Sequence, residues 1–116
     1  MMKPGDIFLA SVPQADGSHK LRPVLALCQL PGPYGDWLVC GISSQLHQRV
    51  EGWDEILDPG TEIDAQTGLQ RRSIVRLSYL SVVAKDTVAG GIGRMNAAKH
   101  TTVVARLVAH LSTPAA

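Results

Sequence analysis

A mainly β fold, a small barrel closed by one C-terminal helix, is the architecture that three features of this chain predict. Short apolar runs alternate with turn residues from Ile7 to Ile92. Only after Asn96 does the apolar spacing change to steps of three and four. No internal repeat or low-complexity tract suggests a stacked or disordered architecture. At 116 residues the chain is expected to be one domain over 1–116, able to bury roughly two thirds of its unfolded surface.

The elements follow in order. Gly5 and Asp6 make a turn, the glycine for backbone freedom and the aspartate to bond nearby backbone. Ile7–Val12 reads as a first strand. Pro13–Leu21 reads as a loop, with Asp16-Gly17-Ser18 as its turn chemistry. Arg22-Pro23 opens a second strand, Val24–Leu30, because proline is tolerated at a strand's first residue. Pro31–Gly35 is a turn. Trp37–Ile42 is nearly all apolar and is expected to be buried on both faces. Arg49–Leu57 carries Val50, Trp53 and Ile56 as a weak strand, broken by Asp58-Pro59-Gly60. Ser73–Leu77 and Tyr79–Val83 read as two strands, and the glycine-rich Val88–Ile92 as a short connection. Asn96 is the N-cap of a helix whose apolar face is Val103, Val104, Leu107, Val108 and Leu111. Thr113–Ala116 is expected to fray.

Composition excludes several classes. A hydrophobic share of 45% with 18% charged residues is that of a globular chain, not a disordered one. The longest apolar run, Val24–Cys28, is far too short to cross a bilayer, and no membrane partner is expected. Met1–Asp6 reaches an acid before any apolar core, which is not the pattern of a signal peptide. A net charge of +1 argues against a generic polyanion binder but leaves room for a local basic cleft. Cys28 and Cys40 lie in apolar runs without CxxC spacing, so both are expected to be buried, reduced thiols, consistent with a cytoplasmic protein. The histidines have no zinc spacing and the acids no cluster, so no metal or cofactor is expected.

Four short signals stand at the ends of apolar runs: Gly5-Asp6-Ile7, Arg22-Pro23-Val24, Gly41-Ile42-Ser43-Ser44-Gln45, and Leu69-Gln70-Arg71-Arg72-Ser73-Ile74-Val75-Arg76. Polar groups at strand ends can converge on one rim of a small barrel. No dipeptide among them is specific, but the ordered set, followed by Gly91-Ile92-Gly93 and a closing helix, resembles the MazF/PemK family of toxin endoribonucleases from Lys3 to about Leu111. The resemblance implies an SH3-like barrel and a cytoplasmic toxin of a type II toxin–antitoxin system that cuts single-stranded RNA. It also implies a two-fold homodimer and an antitoxin whose disordered tail folds across the site.

Arg22, ahead of Pro23, offers a rigid planar fork of donors for phosphate oxygens; the plain alternative is an ordinary surface arginine. Ser43 falls where the family places a catalytic threonine, and its hydroxyl could donate to a phosphate oxygen as charge builds; otherwise it is a serine capping a turn. Since neighbours in a strand face opposite sides, only Ser43 or Ser44 is expected to point into the site. Arg76 matches a place where some members carry a functional arginine. Lys20, Ser44, Gln45, Arg71 and Arg72 are the expected RNA-binding residues, with solvated side chains as the plain alternative for Arg71 and Arg72. Two residues beyond the arginine, related sequences often hold an acid, and here that residue is Ser78. Loss of a positioned acid or base typically costs about 10²–10⁴ in rate. His19 is the candidate substitute, in a loop near Arg22, because an imidazole can serve as a general acid or base; the plain alternative is a solvated loop histidine. His47, His100 and His110 are expected to be peripheral.

Two other classes stay open. A catalytically silent relative would bind RNA or a protein without cutting. The CcdB-like toxins share the barrel but depend on a C-terminal Trp-Gly-Ile, whereas this sequence reads Leu-Ser-Thr-Pro-Ala-Ala at that place. Pro31–Trp37 and Val82–Ile92 are the candidate dimer surfaces, and Trp37 and Trp53 read equally well as core or loop anchors.

Overall fold

The computed structural model of the chain describes residues 2–114. Six strands, β1 (Asp6–Pro13), β2 (His19–Gln29), β3 (Trp37–Ser43), β4 (Glu55–Leu57), β5 (Ser73–Val83) and β6 (Val88–Arg94), precede one helix, α1 (Ala97–Ser112). They form a single antiparallel sheet in the order β4-β5-β3-β2-β1-β6. The sheet curls into a half-barrel, because twist accumulates strand by strand in a long antiparallel sheet.

Both faces of the sheet carry core. On one, Ile7, Leu25, Cys40, Ile42, Val75 and Leu77 meet Val103 and Leu107 of α1. On the other, Phe8, Ala10, Val24, Ala26, Trp37 and Val39 pack together. The central strand β3 contributes to both, as its unbroken apolar run predicts. Burying Val103 and Leu107 stabilises the helix contact by about 1.5–3 kcal/mol per side chain. Asn96 caps α1 as expected, its side chain accepting from the N–H groups of Ala98 and Lys99. Val108 and Leu111, on the expected apolar face, are instead exposed.

Curling brings the two edges of the sheet close. The segment after β4 lies against the end of β6, where the Arg94 N–H donates to the Gln66 carbonyl at 2.8 Å. The backbones meet so tightly that a Cβ on Gly68 would collide with the Ile92 carbonyl, and one on Gly93 with Gln66 and Thr67. Gly68 also has φ of +74°, a conformation that glycine adopts without steric cost. The buried carboxylate of Asp64 ties this segment to α1 through Lys99 Nζ at 2.8 Å, and accepts from the Asp58 N–H.

Several sequence expectations are corrected. The loop expected over Pro13–Leu21 is shorter, because His19–Leu21 already belong to β2, and His19 pairs with Pro13. Pro23 is therefore inside a strand, opposite Leu9. Pairing of β2 to β3 begins only at Val24, so Pro23 has a free edge on its other side, where a missing N–H costs no ladder bond. The weak strand over Arg49–Leu57 shrinks to Glu55–Leu57. The connection Val88–Ile92 is a full edge strand, paired with β1 and bulged at two places. The two strands expected around Ser78 are one, β5, with its register broken between Arg76, opposite Gly41, and Leu80, opposite Cys40.

Leu77-Ser78-Tyr79 thus forms an outsized bulge. Asp54, 1% exposed, holds it: one carboxylate oxygen accepts from the Leu77 N–H at 3.1 Å and the other from the Val50 N–H at 2.9 Å. Trp53 adds an Nε1–H bond to Ser78 Oγ at 2.9 Å. Of the cysteines, Cys40 is buried as expected, but Cys28 is exposed. It lies past a bulge at Leu27, near the end of β2, where the face is no longer covered. At the C-terminus, Thr113 bonds back to Ala109 and His110; of the segment expected to fray, Ala115 and Ala116 lie outside the described residues.

Two measurements check this packing. Burial first, and the Asp54 carboxylate second, push the Cys40 thiol up to about 12. A thiol reagent at mildly alkaline pH should therefore label only Cys28 in the native protein and both cysteines after denaturation. Asp54→Ala strands two N–H groups, at about 1–3 kcal/mol for each one left buried. Its urea midpoint should fall by the equivalent of about 3 kcal/mol, and an unchanged midpoint would mean that the carboxylate does not hold the bulge.

Candidate functional site

The face that packs Phe8, Val24 and Val39 turns polar at one end. Beyond Val24–Gly41, the last pair of β2 with β3, Arg22 on β2 and Ser43 at the end of β3 each lie two residues further on and so on the same face. Arg76 of β5 stands opposite Gly41, on the same face. A cleft of about 660 Å³ opens there, walled by the β1–β2 hairpin (Val12–Ala15), the end of β3 (Gly41–Gln45), and Leu69–Arg71. Helix α1 covers the opposite face, so the cleft and the helix do not compete for the same surface.

Each arginine is oriented by protein groups. Arg22 Nη2 donates to Gln14 Oε1 at 3.4 Å, a long contact across the hairpin. Arg76 is gripped more firmly: Nη1 donates to Gln48 Oε1 at 2.6 Å, and the guanidinium lies 4.1 Å from the centroid of the Tyr79 ring. Its Nε is buried and has no hydrogen-bond partner within the described protein. Ser43 Oγ accepts from the Gln45 N–H at 3.1 Å, which fixes the turn after β3 and leaves the hydroxyl proton free to donate elsewhere.

Arg22, Ser43, Arg76, Ser44, Gln45 and Arg71 all line the cleft. Both serines do so because the strand ends at Ser43, and alternation no longer governs Ser44. Lys20, Arg72 and His19 are exposed but are not among the lining residues. Strand alternation puts Lys20 on the same face as Arg22 and His19 on the other. Ser78 is also outside the lining, engaged with Trp53. His47 stands on an exposed 3₁₀ turn. His100 is structural, its Nε2 lying 3.0 Å from the Ala26 carbonyl oxygen, and the exposed His110 ring sits 5.0 Å from that of Trp53. The sequence reading missed Tyr79, Gln48 and Gln14. The only sequence signal for Tyr79 is an aromatic three residues after Arg76, and that spacing has meaning only with the bulge.

Three arginines line the cleft and none of its described lining residues is Asp, Glu or His. Such a surface suits a polyanion: guanidinium forks for phosphate oxygens, hydroxyl and amide groups for the remaining acceptors. Among the described residues, no group of three or more His, Cys, Asp or Glu is placed to hold a metal ion.

The curled antiparallel sheet with one C-terminal helix matches the fold of the MazF toxins. The chain belongs to the PemK-like, MazF-like toxins of type II toxin–antitoxin systems, whose family model matches residues 3–111; that family is one of endoribonucleases. Among solved structures it is similar to the Mycobacterium tuberculosis toxin MazF-mt6, at 19% identity and a TM-score of 0.68. The match covers 95% of this chain and 99% of that one, and shows a shared fold. No curated protein sequence matches significantly. No helix among the described residues is long and apolar enough to cross a membrane.

Proposed function

We propose that this chain is the toxin of a type II pair and cuts single-stranded RNA without a metal ion. The observation that carries this reading is the convergence of Arg22, Arg76 and Ser43 on one cleft whose described lining holds no carboxylate. RNA brings its own nucleophile: the 2′-hydroxyl attacks the adjacent phosphorus and expels the 5′-oxygen, leaving a 2′,3′-cyclic phosphate. The protein's part is to hold the strand in line and to stabilise charge growing on the phosphoryl oxygens. Arg22 and Arg76 supply fixed positive charge there, and Ser43 donates its free proton to a non-bridging oxygen. Ser44, Gln45 and Arg71 line the path of the strand, with Lys20 and Arg72 outside the cleft as longer-range attraction. DNA lacks the attacking hydroxyl and would be bound but not cut.

The protein acts in the cytoplasm as a homodimer, and a cognate antitoxin with a disordered tail silences it by covering the cleft. A second reading, a relative that binds RNA and cuts it slowly or not at all, is favoured by one observation. Among the described residues, neither an imidazole nor a carboxylate lines the cleft to move protons, which is worth about 10²–10⁴ in rate when present.

Purified protein is expected to cleave a long single-stranded RNA in excess chelator, with a cyclic phosphate on one fragment and a 5′-hydroxyl on the other. Strict dependence on added Mg²⁺, or a 5′-phosphate product, would refute the mechanism. Binding without cleavage would select the second reading. Arg22→Ala should abolish cleavage while the circular dichroism spectrum is unchanged. Ser43→Ala should slow it on the order of 10²–10³-fold, the usual effect of losing one oxyanion donor; Ser44→Ala, beyond the end of β3, should do less. A larger loss from Ser44→Ala would transfer the donor role to that residue.

A further inference from the structure

We infer that Tyr79 is a nucleobase-stacking platform in the cleft, an inference that rests on the nucleic-acid reading above and assigns it a further contact. The ring has one face occupied by the Arg76 guanidinium at 4.1 Å, yet the residue is 57% exposed and lines the cleft. A large aromatic side chain left this open is costly to hydrate, and here it is also held in place. The bulge Leu77-Ser78-Tyr79 fixes its backbone, anchored by Asp54 and Trp53. On the neighbouring strand, Gly41 has no side chain, and a Cβ there would already stand 3.5 Å from Tyr79 Cβ.

The bulge also breaks alternation, so Tyr79 and Leu80 both reach the cleft wall, and Leu80 is 40% exposed. An aromatic face beside an aliphatic one, next to arginines that take phosphate, is the composition of a single-strand track: charge follows the backbone and the π-face takes a base. Arg76 stacked behind the ring makes one unit of the two. Its guanidinium pairs with phosphate at the edge, while its cation–π contact keeps the ring from turning. Because every base has a π-face, Tyr79 contributes affinity and positioning more than sequence choice.

The test uses full-length protein and two uncleavable probes of equal phosphate number, oligodeoxyadenylate and an all-abasic deoxyribose-phosphate strand, with affinity read by fluorescence anisotropy. Wild type should bind the base-bearing strand about 10- to 100-fold more tightly, the usual worth of one stacked base. Tyr79→Leu should lose most of that preference, and Tyr79→Phe, which keeps the ring, should restore it to within about threefold. An equal loss on both probes in Tyr79→Leu would mean that the residue acts only by supporting Arg76, and would overturn stacking. Equal binding of both probes by wild type would also overturn it, while leaving the phosphate-binding cleft intact. Binding of neither probe would remove the nucleic-acid reading and this inference together.

Discussion

One buried carboxylate organises the working end of this protein. Asp54 bonds the Leu77 and Val50 N–H groups at once, joining the turn before β4 to an irregular stretch of β5. Without a partner, backbone groups in an inserted three-residue bulge would be stranded beside the core, each at a cost comparable to a lost hydrogen bond. With it, β5 is interrupted and resumes in a new register, so that Arg76 and Tyr79 face each other across the bulge. The same carboxylate adds to the burial that keeps the Cys40 thiol protonated behind the cleft wall. Geometry in the cleft therefore depends on a residue that never reaches it.

The second constraint is the seam where the sheet curls round. Gly68 and Gly93 let two backbones touch, and the Arg94–Gln66 bond and the Lys99–Asp64 ion pair hold the segment there. Lys99 also donates to the Ile56 carbonyl, so one ammonium ties helix, β4 and the closing segment together. A buried carboxylate paired with a half-buried ammonium whose other bonds are filled avoids the penalty of an isolated charge. Leu69–Arg71, which wall the cleft, follow directly from this segment. Closing the sheet and building the cleft are thus one act, and the rigidity demanded of a site that stabilises charge comes from the seam.

Much of this was legible in the chain. The buried central strand, the Asn96 cap and the order of polar signals at strand ends needed only periodicity and capping chemistry. Arg22, Ser43 and Arg76 could be named because the ordered polar signals resemble those of a known family, which assigns a role to those places; only Ser43 stands at the end of its strand. His19 and Ser78 were less tractable. Their distance from Arg22 and Arg76 along the chain says nothing until register and bulge are known, and one residue of slip reverses a face. The glycine-rich Val88–Arg94 lacks the β-branched density of a strand; pairing with β1 makes it one.

By itself, then, the sequence determined a mainly β chain with a terminal helix and a central strand buried on both faces, because these follow from local pattern, while Arg22, Ser43 and Arg76 were named through the order of motifs the chain shares with a family. Tertiary structure alone decided the bulge at Leu77–Tyr79, the exposure of Cys28, the pairing of Gln48 with Arg76 and the stacking of Tyr79 on that arginine. Each of these depends on contacts between residues far apart in the chain, Asp54 with Leu77 and Gln48 with Arg76. Such contacts are chosen by which registers satisfy every buried backbone group together, and no local window of sequence contains that condition.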